Sequence, residues 1–240
     1  MGRQWMHAGR VANANKRGAL ISKMVKEVQV AARSGDPNPA TNARLAAAIE
    51  SARKNSVPRD TIERAIKKGA GIGDEQVHYE LITYEGFAPH KVPVIVECLT
   101  DNKHRTASEV RVLFKKGQIG APGSVTWMFD HVGVVEATHS NPDQDIEAVA
   151  IEAGAQNVEA LEKEEVAEGQ LGARFICERT DLDAVSKYLA KNGWTVTAFE
   201  MRYLAKNEVD LPPDQHKEVA DFLHAIHDHE DVHRVYAALK

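Results

Sequence analysis

Cysteine is almost missing from this 240-residue chain. Its two copies, Cys98 in "VIVECL" and Cys177 in "ARFICE", sit inside apolar runs. That usage argues against a disulfide scaffold and against a zinc site built on thiolates, and reads both residues as buried thiols. Long hydrophobic runs are missing too. No stretch of about 18 apolar residues occurs, so no membrane span is expected. The early basic residues are not followed by the apolar core of a signal peptide, so the cytoplasm is the expected compartment.

Catalytic signatures are equally scarce. "KKGAGIG" lacks the GK[ST] of a phosphate-binding loop, "GRVANANKRG" is no dinucleotide fingerprint, and neither HExxH nor GxSxG occurs. Of the eleven histidines, His216, His224, His227, His229 and His233 cluster late. His224 and His227 share a helical face, but a third ligand at motif spacing is missing, so they read as polar helix surface beside "HDHEDVH". Paired acids such as Glu164 with Glu165, and Asp228 with Asp231, read as solvated surface. The expectation is a protein that is not an enzyme, with no metal and no cofactor.

What the chain has is a lopsided charge distribution inside an ordinary globular composition, 43% hydrophobic and 27% charged. Residues 1–76 carry a net charge of +7 and residues 77–240 a net charge of -12. A cationic module on an acidic body points to a polyanion, or to an acidic protein partner, docking on the first part. The acidic body is not expected to hold a polyanion itself.

The pattern along the chain separates three parts. Residues 1–76 read as helical after an aperiodic arm or loop: stripes Ile21, Met24, Val25, Val28, Ala32 and Leu45, Ala48, Ile49, Ala52, then a short helix in "NSVPRDTIERAIKKGAG". Lys67 and Lys68 before Gly69 suit a helix C-terminus, and equally the edge of a nucleic-acid surface. The glycines from Gly69 to Gly73 are expected to let this module swing. At Val77 the texture becomes β-rich. "VHYELITYEGF" and "VPVIVECLT" suit a hairpin, "NKHRTASEVRVLFKKG" a helix with Thr106 and Glu109 at capping-box spacing, and "SVTWMF" a strand. Residues 132–200 give the order βαββαβ of a ferredoxin-like unit. A last helix at 214–229 and strand at 232–237 are left to complete the earlier set. The expected fold is α+β: a basic helical domain over 1–76, a discontinuous α/β domain over 77–131 and 201–240, and an inserted α/β domain over 132–200.

The arm offers Arg3, Trp5, Arg10, Lys16 and Arg17 with no acid among them. Such groups can contact phosphates, and Trp5 can stack on a base or pin the arm to its module. At the strand-to-helix junction, Asn102, Lys103 and Arg105 form a secondary polar site that serves either as helix cap or as anion contact.

The segments "AARSGDPNPATNARLAAAIESARKNSVPRDTIERAIKKGAG", "YELITYEGFAP", "VIVECLTDNKHRTASEVR", "GSVTWMF", "AIEAGAQNVE" and "DLPPDQHKEVADFLHAIHDHEDVHRVY" resemble, in order and over nearly the full chain, the YebC/TACO1 family, also called PmpR-type or DUF28. The resemblance implies a helical first domain, two α/β domains with one interrupted, no enzymatic site and no obligate cofactor. Members are described as DNA-binding transcriptional regulators or as ribosome-associated translation activators, with relief of stalling at proline-rich stretches among the roles. It implies a basic surface that here corresponds to Lys16, Arg17, Lys23, Arg44, Arg53, Arg59, Arg64, Lys67 and Lys68. The chain departs at its start: "GRQWMHAGRVANANKRG" replaces an opening close to "AGHSKWANIKHRK", with Gln4 in place of the lysine before the tryptophan. The expected partner is nucleic acid, either ribosomal RNA on the ribosome or promoter DNA, bound by a monomer. A protein-interaction scaffold is the remaining alternative.

Overall fold

The computed structural model describes residues 4–72, 79–162 and 166–240, with side chains from residue 18 onward except residue 19. In chain order the elements are α1 (Gln4–Ser34), α2 (Ala43–Lys54), α3 (Arg59–Gly69), β1 (Glu80–Phe87), β2 (Pro93–Thr100), α4 (Lys103–Leu113), β3 (Gln118–Ile119), β4 (Phe129–His139), α5 (Ile146–Ala153), β5 (Asn157–Ala160), β6 (Leu171–Cys177), α6 (Leu182–Lys191), β7 (Thr195–Ala205), α7 (Pro213–His227) and β8 (Val232–Ala237). They form a helical region followed by two mixed α/β sheets, the α+β class expected from the pattern. Contacts group the chain into two units, Met1–Glu27 with Asp74–Asp130 and Leu204–Lys240, and Val28–Gly73 with His131–Tyr203. The boundary between them falls inside α1.

The first unit is built on a sheet of order β3-β1-β2-β8. Strand β2 lies between β1 and β8 and every one of its residues is buried, which is why "PVIVECLT" is mostly apolar without alternating, with Glu97 and Thr100 its buried polar residues. Val94, Val96 and Cys98 pack with Val110 and Phe114 and with Val219, Phe222 and Ile226 of α7. Phe114 meets Phe222 edge-on, centroids 5.5 Å apart. The last strand therefore finds its place beside β2, in antiparallel register from Val94 opposite Ala237.

The second unit contains a sheet of order β5-β6-β4-β7, the arrangement a βαββαβ chain adopts when it closes as a ferredoxin-like layer. Strands β4 and β6 send one face to the core. Val135, Ala137, Ala173 and Phe175 face Leu182, Val185, Leu189 and Trp194, while Glu136 on the other face pairs with Arg174 and Arg202, each at 2.9 Å. In its helical part Val28, Ala31, Ala32, Leu45, Ala48, Ile49, Ala52, Ile62 and Ala65 are all buried. Asn42 caps α2, accepting the Leu45 N–H at 3.0 Å and donating to the Ala31 carbonyl at 2.9 Å.

Several local expectations need correcting. The aperiodic arm is not a loop: α1 begins at Gln4. "SVTWMF" is not a strand. Thr126–Met128 form a 3-10 turn, and β4 starts at Phe129, because the backbone N–H groups of Ser124, Val125, Thr126 and Met128 all bond to protein groups off the sheet ladder. Asn102 rather than Thr106 caps α4, accepting the Arg105 N–H at 3.1 Å. Gly69 is a packing glycine, not a swivel: a Cβ there would stand 2.3 Å from the Gln29 carbonyl oxygen. Gly71, at φ +73°, carries the turn that ends α3.

Candidate nucleic-acid interface

Helix α3 has two faces. Ile62 and Ala65 are buried, while Arg59, Arg64 and Lys67 stay exposed at spacings of three to five residues, and Lys68 is half-buried. Arg59 pairs with Glu63 at 2.8 Å and Arg64 with Asp60 at 3.0 Å, all four side chains more than half exposed. Exposed i,i+4 pairs of this kind are worth only about 0.3–0.5 kcal/mol, so an arriving phosphate can displace the carboxylate. Arg53 and Lys54 add exposed cations at the end of α2, and Arg44 is half-buried near its start. Lys54, left outside the expected set, belongs with these groups. Its signal was present in the sequence, next to Arg53 in the same last turn.

Lys23 does not. It is 8% exposed, and its ammonium donates to the carbonyl of His227. Burial pushes its pKa down, opposed by Asp228. The apolar stripe of α1 did not reveal this, because Lys23 lies beside the stripe and its partner is remote in sequence. Arg3 lies outside the described residues, as do the side chains of Trp5, Arg10, Lys16 and Arg17.

The junction at Asn102, Lys103 and Arg105 is occupied by structural work. Asn102 caps α4, Lys103 pairs with Glu80, and Arg105 binds Asp231 at 2.8 Å. Asp231 is the centre of the arrangement, and its reading as solvated surface is wrong. Its side chain is 1% exposed and is held by Lys26 of α1 at 2.8 Å, by Arg105, and by the Thr106 hydroxyl at 2.8 Å. Burial alone would raise its carboxyl, but those donors outweigh burial and hold it at about 2. Lys26 also donates to the Glu230 carbonyl at 3.1 Å and lies over the Tyr79 ring. One turn of α1 thus carries three polar anchors: Lys23, Lys26, and Glu27, whose carboxylate lies 3.0 Å from His233 without hydrogen-bond alignment.

The late histidines disperse. His224 and His227 stay exposed on α7, His216 is exposed at its start, and His229 and His233 turn inward. Glu109, His229 and Asp231 come within metal-binding distance of one another. Their ligand atoms are spoken for, however. His229 Nδ1 accepts the Asp231 N–H at 3.2 Å, His229 Nε2 faces Glu109 at 3.1 Å, and Asp231 is saturated by two cations and a hydroxyl. This cluster fits no metal. Glu164 and Glu165 lie outside the described residues. Cys98 and Cys177 are fully buried, with burial pushing their thiols up to about 12 and about 11. Among the described residues no helix is long and apolar enough to cross a membrane.

A helical segment with exposed cations, joined to two mixed α/β sheets, defines a class that comparison with known proteins makes specific. Residues 3–72 match the model of the TACO1/YebC N-terminal domain, and residues 79–239 that of its second and third domains. A probable transcriptional regulatory protein of Pseudomonas fluorescens (strain Pf0-1) is 49% identical over all of this chain and 99% of its own. One from Bdellovibrio bacteriovorus is 47% identical over the whole of both chains. The crystal structure of a conserved hypothetical protein from Aquifex aeolicus superposes with a TM-score of 0.76 at 36% identity, covering 94% of this chain and 90% of that one. The chain belongs to the TACO1/YebC family, and its curated relatives from Pseudomonas and Bdellovibrio are described as probable transcriptional regulatory proteins.

Proposed function

We propose that this protein is a non-enzymatic regulator of gene expression that binds RNA on the ribosome as a monomer and activates translation. The observation that carries the reading is the exposed set Arg53, Lys54, Arg59, Arg64 and Lys67 on α2 and α3, backed by the buried Ile62 and Ala65. Cations on rigid helices bind phosphates by electrostatics and counterion release, without sequence readout. The sequence shows no helix-turn-helix dimer, and the resemblance includes translation activators, so structured RNA fits this surface better than a promoter. The second reading is a DNA-binding transcriptional regulator, favoured by the names of the relatives from Pseudomonas and Bdellovibrio.

The test is crosslinking in cells with sequencing of both RNA and DNA fragments, for the wild type and for Arg64→Glu/Lys67→Glu/Lys68→Glu. The proposal expects ribosomal RNA fragments that vanish in the variant, and codon-specific ribosome pausing when the protein is absent. Fragments collecting at a few promoters, with ribosome positions unchanged on deletion, would replace the first reading by the second.

A further inference from the structure

One stretch of the first unit runs against its acidity. Residues 103–116 hold five lysines and arginines and a single acid, Glu109. Glu109 faces His229, Arg105 sits on Asp231, and Lys103 on Glu80. That leaves Arg111, Lys115 and Lys116, which are exposed and form no ion pair with a described residue. They lead directly into β3, whose two residues pair with Gly86 and Phe87 of β1.

Beyond β3 comes a turn over 120–128 organised by one side chain. The Glu85 carboxylate, 8% exposed, accepts the backbone N–H groups of Gly123 at 2.6 Å and of Val125 and Thr126 at 2.9 Å. The Glu85 carbonyl accepts the Gly120 N–H at 2.8 Å. Val125 is fully buried. Held on that base is Trp127, 66% exposed, with its indole N–H donated to the Ser124 carbonyl at 3.1 Å.

An indole fixed this way has given its only donor to its own turn and presents only its π surface to a partner. Glu85 and Val125 hold the turn, so an exposed tryptophan there is not needed for packing. A protein-binding patch would gather further apolar and aromatic groups beside Trp127 to form its core. The exposed residues around Trp127 in the chain are small or polar: Gln118, Ala121, Pro122, and Asp130, which pairs with Lys206 at 3.4 Å. Gly120 and Thr126 both bond to Glu85, so the turn folds back on the end of β3. The path from Lys116 to Gly120 covers at most about 14 Å. Exposed cations and a rigid aromatic platform, here joined by one short stretch of chain, are the two elements that hold a single strand without sequence preference.

We infer that this edge of the β3-β1-β2-β8 sheet binds single-stranded nucleic acid, with Trp127 stacking on a base and Arg111, Lys115 and Lys116 holding phosphates. The inference rests on the chain being a nucleic-acid binder and adds a contact on the acidic body, away from α2 and α3 in sequence.

The experiment measures binding of the full chain to a fluorescein-labelled 12-nucleotide RNA of mixed sequence, single-stranded and as a duplex, from low to high salt. Trp127→Ala weakens single-strand binding by about 5- to 150-fold, the range for losing one stacked base. Trp127→Phe restores most of it, and the duplex, whose bases stay stacked, binds as before. Lys115→Glu/Lys116→Glu lowers the single-strand salt slope by about 1.4. Unchanged thermal unfolding checks that the exposed substitutions leave the fold intact. Single-strand affinity within twofold of wild type in Trp127→Ala overturns the inference, and capture of a protein through Trp127 with RNA binding untouched does so too. If only the α3 triple variant loses binding, the proposed function stands and the inference falls. If the α3 variant binds normally and Trp127→Ala does not, the inference stands and the role given to α3 falls.

Discussion

Replacing Asp231 by asparagine keeps the shape of the side chain and removes its charge. In the native protein that charge receives Lys26, Arg105 and Thr106, each at 2.8 Å, in a site where it is 1% exposed. Its carboxyl is held at about 2 against an ordinary 3.8. At about 1.4 kcal/mol per unit, ionised Asp231 contributes about 2 kcal/mol to folding at neutral pH. A folded pKa below the unfolded one means this contribution is complete above about pH 4 and is lost as pH falls towards 2. Breaking one partner of a fully buried pair costs about 3–5 kcal/mol, but Arg105 is 40% exposed and can turn to water, so about 2 kcal/mol is expected for Asp231→Asn at pH 7. The assay is urea unfolding of both proteins at intervals between pH 7 and pH 2.5, followed by a probe in the first unit. The difference in stability should shrink steadily below pH 4. Asp183→Asn, which removes an exposed pair with Lys187, serves as the control and should cost under about 0.5 kcal/mol. A loss from Asp231→Asn that stays constant down to pH 2.5 would refute the electrostatic account. So would a loss no larger than the control's.

Gly69→Ala should destabilise the helical part by about 1–3 kcal/mol, because the new Cβ meets the Gln29 backbone, whereas Gly71→Ala meets open space and pays only for its positive φ, about 1 kcal/mol; thermal melts rank the two, and equal losses would contradict the packing role. Cys98 and Cys177 should not react with a disulfide reagent at pH 8 until the protein is unfolded, since both thiols are buried and pushed far above that pH; release of thiolate at the mixing time in native buffer would contradict it.

Elements governed by local periodicity were legible in the sequence. The β-rich runs that become β2, β4 and β6, the helical face of α3 and the limits of β8 all follow from composition and spacing, because burial is written residue by residue. The exposed cations of α2 and α3 were legible for the same reason: a position opposite Ile62 and Ala65 must face outward. What stayed hidden is polar and non-local. Asp231 looks like one acid among several in "HEDVH", and only folding brings it to Lys26 and Arg105, 205 and 126 residues away in sequence. The family resemblance places Lys23 on the basic surface, and its position beside a stripe does not say that another element covers it. Glu85 gives the clearest case. In "YELITYEGF" it looks like the polar half of an alternating strand, yet it is buried and organises residues 120–126 through their N–H groups. Burial raises its carboxyl, and the three backbone donors together with the Thr126 side chain more than reverse that. The same bonds explain why "SVTWMF", apolar and β-branched enough for a strand, becomes a turn: its amides find a carboxylate instead of a neighbouring strand, and Trp127 is left facing solvent. Where a buried charge redirects the backbone, propensity loses to hydrogen-bond satisfaction, and the exposed residue that results is the one to test for binding.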